Sequence, residues 1–215
     1  MAKETAHQLG TPISSLLGWL ELLKQEQHSL PTGNLRDTVF KMEEDLYRLQ
    51  KIAQRFSQIG SIPELKETDL NSIITEVTKY FRNRLPHAGS GVCIKTDLKP
   101  VPNVKVNSEL VSWVIENLIK NALESVDPKQ GVIDITTEAT PKVVILKITD
   151  NGKGVPPKEQ KRVFHPGYTT KKRGWGLGLS LAKRIVEDYH QGKIFLQESS
   201  PNKRTVFVVS LPISV

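Results

Sequence analysis

From Leu9 the apolar positions of the chain run Leu9, Ile13, Leu16, Leu20 and Leu23, with gaps alternating between four and three residues. That is the 3.5-residue spacing of a coiled-coil seam. The same spacing returns at Leu35, Val39, Met42, Leu46, Leu49, Ala53 and Phe56. Between the two runs lies Ser29-Leu30-Pro31-Thr32-Gly33, a breaker-rich loop short enough to make the flanking helices antiparallel neighbours. The pattern therefore predicts a helical hairpin. Leu17, Trp19, Leu22 and Ile52 widen its apolar stripe beyond what two helices cover, so pairing of two hairpins into a four-helix bundle, and hence a homodimer, is expected.

Gly60-Ser61-Ile62-Pro63-Glu64 breaks the heptads, and helices then alternate with short β-branched strands. The boundary is placed near residues 60–67, with residues 1–62 as the helical hairpin and 63–215 as a second domain. Asp69 reads as the N-cap of a helix to about Arg84. Strands are expected at Val92–Asp97, Val132–Thr137, Lys142–Thr149, Lys193–Gln197 and Thr205–Leu211, and helices at about Ser108–Val126 and Leu177–His190. Two strands close in sequence, 131–137 and 143–150, point to an α+β sandwich of helices on a mixed sheet rather than a doubly wound fold.

Composition changes this picture little. The 38% apolar and 25% charged residues are ordinary for a globular protein, and no apolar run approaches the roughly 20 residues that cross a bilayer. A lone Cys93, read as a strand residue, makes neither an internal disulfide nor a metal cluster. The N-terminus lacks the apolar core of a signal peptide, so a cytoplasmic location is expected, either for the chain itself or as the cytoplasmic part of a larger membrane-anchored protein. The formal charge of +7 invites a nucleic-acid reading. The excess is scattered, however, and its densest run, Lys171-Lys172-Arg173, stands beside glycines where a small nucleotide is an equal match, so no nucleic-acid partner is expected.

With Leu9, Leu16 and Leu23 at d positions and Ile13 and Leu20 at a positions, His7 falls at b and Thr11 at f, outside the seam and one helical turn apart. A surface histidine near a chain end is ordinarily just solvated. Pro12 sets this one apart, because it removes a backbone donor inside the helical pattern and bends or loosens the helix one turn past His7.

The stretch Ala6-His7-Gln8-Leu9-Gly10-Thr11-Pro12-Ile13-Ser14-Ser15-Leu16 resembles the H box of the sensor histidine kinases. The resemblance implies that His7 accepts the γ-phosphoryl group of ATP on an imidazole nitrogen, and that Thr11 holds the position associated with the reverse, phosphatase reaction. An unperturbed histidine supplies the neutral imidazole this requires near neutral pH. Gln8 departs from the family, which mostly follows its histidine with an acidic residue thought to accept the imidazole proton. An amide cannot be that base, though it can hold the imidazole tautomer by a hydrogen bond.

In the second domain, Asp150-Asn151-Gly152-Lys153-Gly154 follows a predicted strand. It reads equally as an ordinary turn or as a fixed carboxylate beside backbone that a planar ligand approaches closely. Gly174-Trp175-Gly176-Leu177-Gly178 opens a helix and turns backbone N–H groups toward a phosphate. It matches neither a Rossmann fingerprint nor a Walker loop. Asn117 and Asn121 stand four apart in mid-helix, where asparagine is a mediocre helix former, and two amide oxygens on one face suit Mg²⁺ completed by phosphate and water.

Taken in chain order, and with Val163 to Lys171 between the two glycine groups, the segments resemble the N, G1, F and G2 boxes of the same kinases, within the wider ATPase family of gyrase, heat-shock chaperone and mismatch-repair proteins. The resemblance covers nearly the whole chain. It implies that Asp150 binds the adenine amino group, that Asn117 and Asn121 hold Mg²⁺, and that Gly152, Gly154, Gly174, Gly176 and Gly178 shape the ATP pocket and its lid. Val163 to Lys171 resembles the F box and lid, which brings Thr169, Thr170 and Lys171 to the nucleotide with Lys171 as a phosphate contact; Leu177 and Thr205 complete the pocket wall. The implied function is ATP-dependent phosphorylation of His7 and transfer to an aspartate of a response regulator receiver domain, with input from an upstream sensor domain or partner protein outside this chain. The alternatives are a phosphotransfer scaffold with weak or absent kinase activity, and an ATPase or serine kinase of the wider family.

Overall fold

The structure is a computed structural model that describes residues 16–18, 20, 21, 39, 42, 46, 63–83, 85, 91–169 and 176–213. The chain divides into two compact units, Met1–Pro63 and Glu64–Val215. In the first, all eight described residues before Pro63 are helical. Leu20, Val39 and Leu46, drawn from both heptad runs, are buried together with Leu17 packed against them. Leu16 and Met42, also seam positions by spacing, are half exposed.

The second unit is built on a five-stranded sheet of order β2-β4-β5-β7-β6, formed by β2 (Cys93–Leu98), β4 (Val132–Ala139), β5 (Val143–Asp150), β6 (Lys193–Ser200) and β7 (Arg204–Pro212). β2 runs parallel to β4 and every other pairing is antiparallel, so the sheet is mixed. A separate antiparallel ribbon joins β1 (Lys66–Thr68) to β3 (Val104–Val106). Helices α1 (Leu70–Arg82), α2 (Ser108–Ser125) and α3 (Gly178–Arg184) complete it, with a π turn, Ile185–Tyr189, continuing α3.

The period-2 alternation of β4 and β5 decides which face is covered. Ile133, Ile135, Val144, Leu146 and Ile148 turn inward, and Phe207, Val209 and Leu211 of β7 join them through the register. The 3.6-period stripe Leu110, Val111, Val114, Ile115, Leu118, Ile119 and Ala122 of α2 meets that face, as does the stripe Leu70, Ile73, Ile74 and Val77 of α1. Both helices start on side-chain caps: Asp69 accepts from Asn71 N and Asn107 accepts from Leu110 N, each contact being worth about 1 kcal/mol. The result is a two-layer α+β sandwich.

Strand and helix positions match those expected from the alternation to within three residues at each end. α1 stops at Arg82 rather than Arg84. The helix expected over 177–190 is α-helical only to Arg184, because the His190 ring takes the Ile185 carbonyl (2.8 Å) and the last turn widens. The β1–β3 ribbon was not anticipated, as three-residue strands carry too little alternation to be seen.

Candidate functional site

α2 presents Asn117, Asn121 and Ser125 at intervals of four, a single face of the helix. At one end of this row Asn117 meets Gly178, the first residue of α3: a Cβ on Gly178 would lie 3.1 Å from Asn117 Oδ1. At the other end Ser125 meets Gly152, where a Cβ would lie 2.4 Å from Ser125 Oγ and 2.6 Å from its carbonyl carbon. Both glycine motifs thus close onto the same helix face, with Asn121 between them.

Gly152 also donates its N–H to Asp150 Oδ1 (2.9 Å). Asp150 ends β5 with its side chain on the covered face of the sheet, 4% exposed, and this is its one hydrogen bond among the described residues. Loss of hydration pushes the carboxyl from 3.8 up to about 6, against the pull of the Gly152 N–H. Asp150 pairs across the ladder with Thr205, the buried second residue of β7. Of two surface clefts nearby, one of ≈ 600 Å³ is lined by Gly152 and the end of α2, whereas the other, of ≈ 550 Å³, touches Asp150 but runs over Asp134, Thr136, Lys147 and Thr149 on the sheet face opposite its side chain.

The next residues fix the far wall. Gly154 lies against Pro201 and Ser199, and the Val155 N–H donates to Ser199 Oγ (2.8 Å). Phe164 packs edge-on against Phe207 of β7, with ring centroids 6.2 Å apart, and the Lys183 Nζ of α3 lies over the Phe164 ring, 5.9 Å from its centroid. Gly176 adopts φ +64, and a Cβ there would run into the Gly167 backbone at 2.5 Å, so only glycine fits. The Gly167 N–H donates to Gly176 O (3.1 Å), joining the start of α3 to the segment after Phe164. Leu177, 45% exposed, and Thr169 both face solvent.

Of the residues expected at the site, Asn117, Asn121, Asp150, Gly152, Gly154, Thr169, Gly176, Leu177, Gly178 and Thr205 are described, and contacts on α2 and across the β5–β7 pair link most of them. His7, Gln8, Thr11, Thr170, Lys171 and Gly174 lie outside the described residues. Sequence reading missed Ser199 and Gln160, which sit in stretches that look like an ordinary turn and a charged surface segment.

The donor set fits a metal–nucleotide complex in one specific sense. Asn117 Nδ2 is buried without a hydrogen-bond partner, a donor that suits a phosphate oxygen, while the Oδ1 of the same amide, which faces Gly178, is the atom able to meet a cation. The described residues hold no cluster of three acidic, histidine or cysteine ligands. A divalent ion at this helix face would therefore take amide oxygens from the protein and most of its ligands from phosphate and water, as Mg²⁺ prefers.

Residues 107–215 match the family described as histidine kinase-, DNA gyrase B- and HSP90-like ATPase. The chain belongs to this family. Its relatives include sporulation kinase D of Bacillus subtilis (strain 168), 30% identical over 221 residues, which covers all of this chain and 42% of that protein. Among solved structures, the nucleotide-free catalytic domain of histidine kinase ThkA superimposes with a TM-score of 0.61 at 32% identity, covering 70% of this chain and 96% of that one. ThkA has also been solved in complex with the response regulator protein TrrA. Full-length ShkA in complex with AMPPNP shares the fold over the whole chain, with a TM-score of 0.74 at 20% identity and 46% of its own length covered. The chain thus spans less than half the length of sporulation kinase D, and its second unit has the fold of the ThkA catalytic domain.

Proposed function

We propose that the chain is the catalytic core of a protein-histidine kinase that phosphorylates His7 from ATP and passes the phosphoryl group to an aspartate of a response regulator. The observation that carries the nucleotide part is the α2 face on which Asn117 touches Gly178 and Ser125 touches Gly152. On this reading Asp150 accepts the adenine amino group, and Thr205 and Gly154 flank the base. Asn117 and Asn121 hold Mg²⁺, which neutralises charge on the phosphates during transfer. Gly152, Thr169, Thr170, Lys171, Gly174, Gly176, Leu177 and Gly178 line the remainder, with Lys171 on the phosphates.

In the transfer an imidazole nitrogen of His7 forms the bond to the γ-phosphorus while the bond to the bridging oxygen breaks and ADP leaves with its electron pair. The imidazole proton goes to water or to a carboxylate, since the Gln8 amide cannot accept it. Residues 1–62 act as a helical hairpin that pairs with a second copy into a four-helix bundle; the buried Leu20, Val39 and Leu46, with Leu17 packed against them, support this. Thr11 serves the reverse, phosphatase reaction. Partners of this type suit a chain that resembles ThkA, itself solved with a response regulator.

The test is incubation with γ-labelled ATP and Mg²⁺ of the parent, His7→Ala and Asn121→Ala. Acid-labile, base-stable label in the parent alone is expected. Label that survives in His7→Ala would assign the phosphate elsewhere and favour a serine kinase of the wider family. Nucleotide binding without any label would leave a phosphotransfer scaffold.

A further inference from the structure

We infer that Ser199, braced by Gln160, is a positioning residue for the base of the nucleotide: it sets the direction of the Thr205 hydroxyl and holds the backbone wall after Gly154. The inference rests on the nucleotide reading given above.

Ser199 lies at the end of β6, directly across the ladder from Thr205 at the start of β7. Its hydroxyl oxygen accepts the Val155 N–H (2.8 Å) and shares a second hydrogen bond with Thr205 Oγ1 (3.0 Å). Its backbone carbonyl accepts from Gln160 Nε2 (3.2 Å), and the same amide nitrogen donates to Val155 O (3.1 Å). A Cβ on Gly154 would lie 3.1 Å from Ser199 Oγ. Gly154 and Val155, Gln160, and Thr205, from three stretches of chain, therefore converge on one half-buried serine.

The hydroxyl pair has a chemical consequence. Thr205 is buried, opposite Asp150, and Ser199 is its one hydrogen-bond partner among the described residues. Ser199 carries one proton and has already spent a lone pair on Val155. When it gives that proton to Thr205, the threonine's own hydrogen is free to donate beside Asp150. When it takes the proton of Thr205 instead, the threonine oxygen is left as an acceptor. Ser199 thus lets one buried hydroxyl meet either a donor or an acceptor on the ligand; in the second arrangement the Ser199 proton turns to solvent, which its half-buried position allows. The Gln160 amide holds the two carbonyls that keep Ser199 and Val155 at this spacing.

The experiment is calorimetric binding of ADP with Mg²⁺, and of adenosine alone, to the full chain, to Ser199→Ala, to Ser199→Thr and to Gln160→Leu. Ser199→Ala is expected to weaken both ligands by the same factor, about tenfold, because the loss falls on the base rather than on the phosphates. Ser199→Thr keeps the hydroxyl and should stay within about twofold of the parent, and Gln160→Leu should weaken binding about threefold. At saturating ATP, labelling of His7 in Ser199→Ala should proceed at the parental rate, so the effect appears in KM and not in kcat. Unchanged ADP and adenosine binding in Ser199→Ala overturns the inference while leaving the nucleotide reading intact. So does equal weakening in the alanine and threonine variants together with a matching fall in melting temperature. If Ser199→Ala does not fold, Gln160→Leu decides, and parental affinity in it overturns the brace. A parent chain that binds neither ligand overturns the nucleotide reading and the brace with it.

Discussion

His190 Nε2 accepts the backbone N–H of Asn107 at 3.0 Å, across 83 residues of sequence. The other ring nitrogen donates to Ile185 O, so both are committed and the ring is fixed as the neutral Nδ1–H tautomer. Asn107 in turn caps α2 through Leu110 N and reaches Glu64 O with its side-chain amide. One buried imidazole therefore ties the end of the π turn to the cap of the helix that carries Asn117 and Asn121, and through that cap to the first residue of the second unit.

Protonation would destroy the Nε2 acceptor, and burial, opposed by the Ile185 carbonyl, holds the ring below its ordinary 6.5. The unfolded chain then binds the proton first. The His190 contribution to stability is present in full above pH 6.5 and is lost as pH falls from there through the lower folded value. Chemical unfolding at pH 7.5 and 5.0 should show the parent losing stability at the lower pH by more than His190→Gln does. His190→Ala, which also opens a cavity, should lose about 3 kcal/mol at pH 7.5. A His190→Gln curve that parallels the parent at both pH values removes His190 from this role.

Asp150 shows the opposite sign. Its folded value is raised from 3.8 to about 6, so the chain is free of this penalty below pH 3.8 and acquires it as pH rises through 6. By pH 7.5 the ionised carboxyl costs about 3 kcal/mol. Asp150→Asn, which keeps an oxygen for the Gly152 N–H, should unfold at higher denaturant at pH 7.5 and match the parent near pH 4. On the proposed assignment the same change should reduce ADP affinity at least about tenfold, and ADP affinity of the parent should itself decline below pH 6. A parent whose ADP affinity is flat from pH 7.5 to 5 would separate Asp150 ionisation from adenine recognition.

Strand alternation and the α2 stripe made the sandwich legible in the sequence, because burial on one face writes itself as a period. Asp150, Gly152 and Gly178 were visible as composition at element ends. What joins them was not. The Asn117–Gly178 and Ser125–Gly152 contacts depend on how α2 crosses the sheet, which no local pattern encodes. His190 left no local signal, since the backbone N–H it accepts belongs to Asn107, 83 residues away. Ser199 hid within Glu198-Ser199-Ser200-Pro201-Asn202, where serine and proline read as a turn.

Gly152→Ala tests the crossing of α2 directly. The added carbon would lie 2.6 Å from the Ser125 carbonyl carbon and oxygen, which are helix backbone and cannot swing aside. Either the 150–154 turn or the end of α2 must move, at a cost of about 2–3 kcal/mol. Thermal unfolding should register this with no ligand present. A variant as stable as the parent would show that the turn stands further from α2 than these distances imply.

Asn117 separates stability from binding in the other direction. Its Nδ2 is buried and unpaired, so the folded chain gains nothing from that donor and carries its desolvation. Replacing it by leucine, of similar volume, should leave the melting temperature within a few degrees or raise it. Should Asn117 face Mg²⁺ and phosphate as proposed, the same variant would lose Mg²⁺-dependent ATP binding while keeping its affinity for adenosine. Titrating adenosine and Mg²⁺–ATP into Asn117→Leu reads both at once. Equal loss of the two ligands would place Asn117 at the base, and loss of neither would make it a packing residue that positions Gly178.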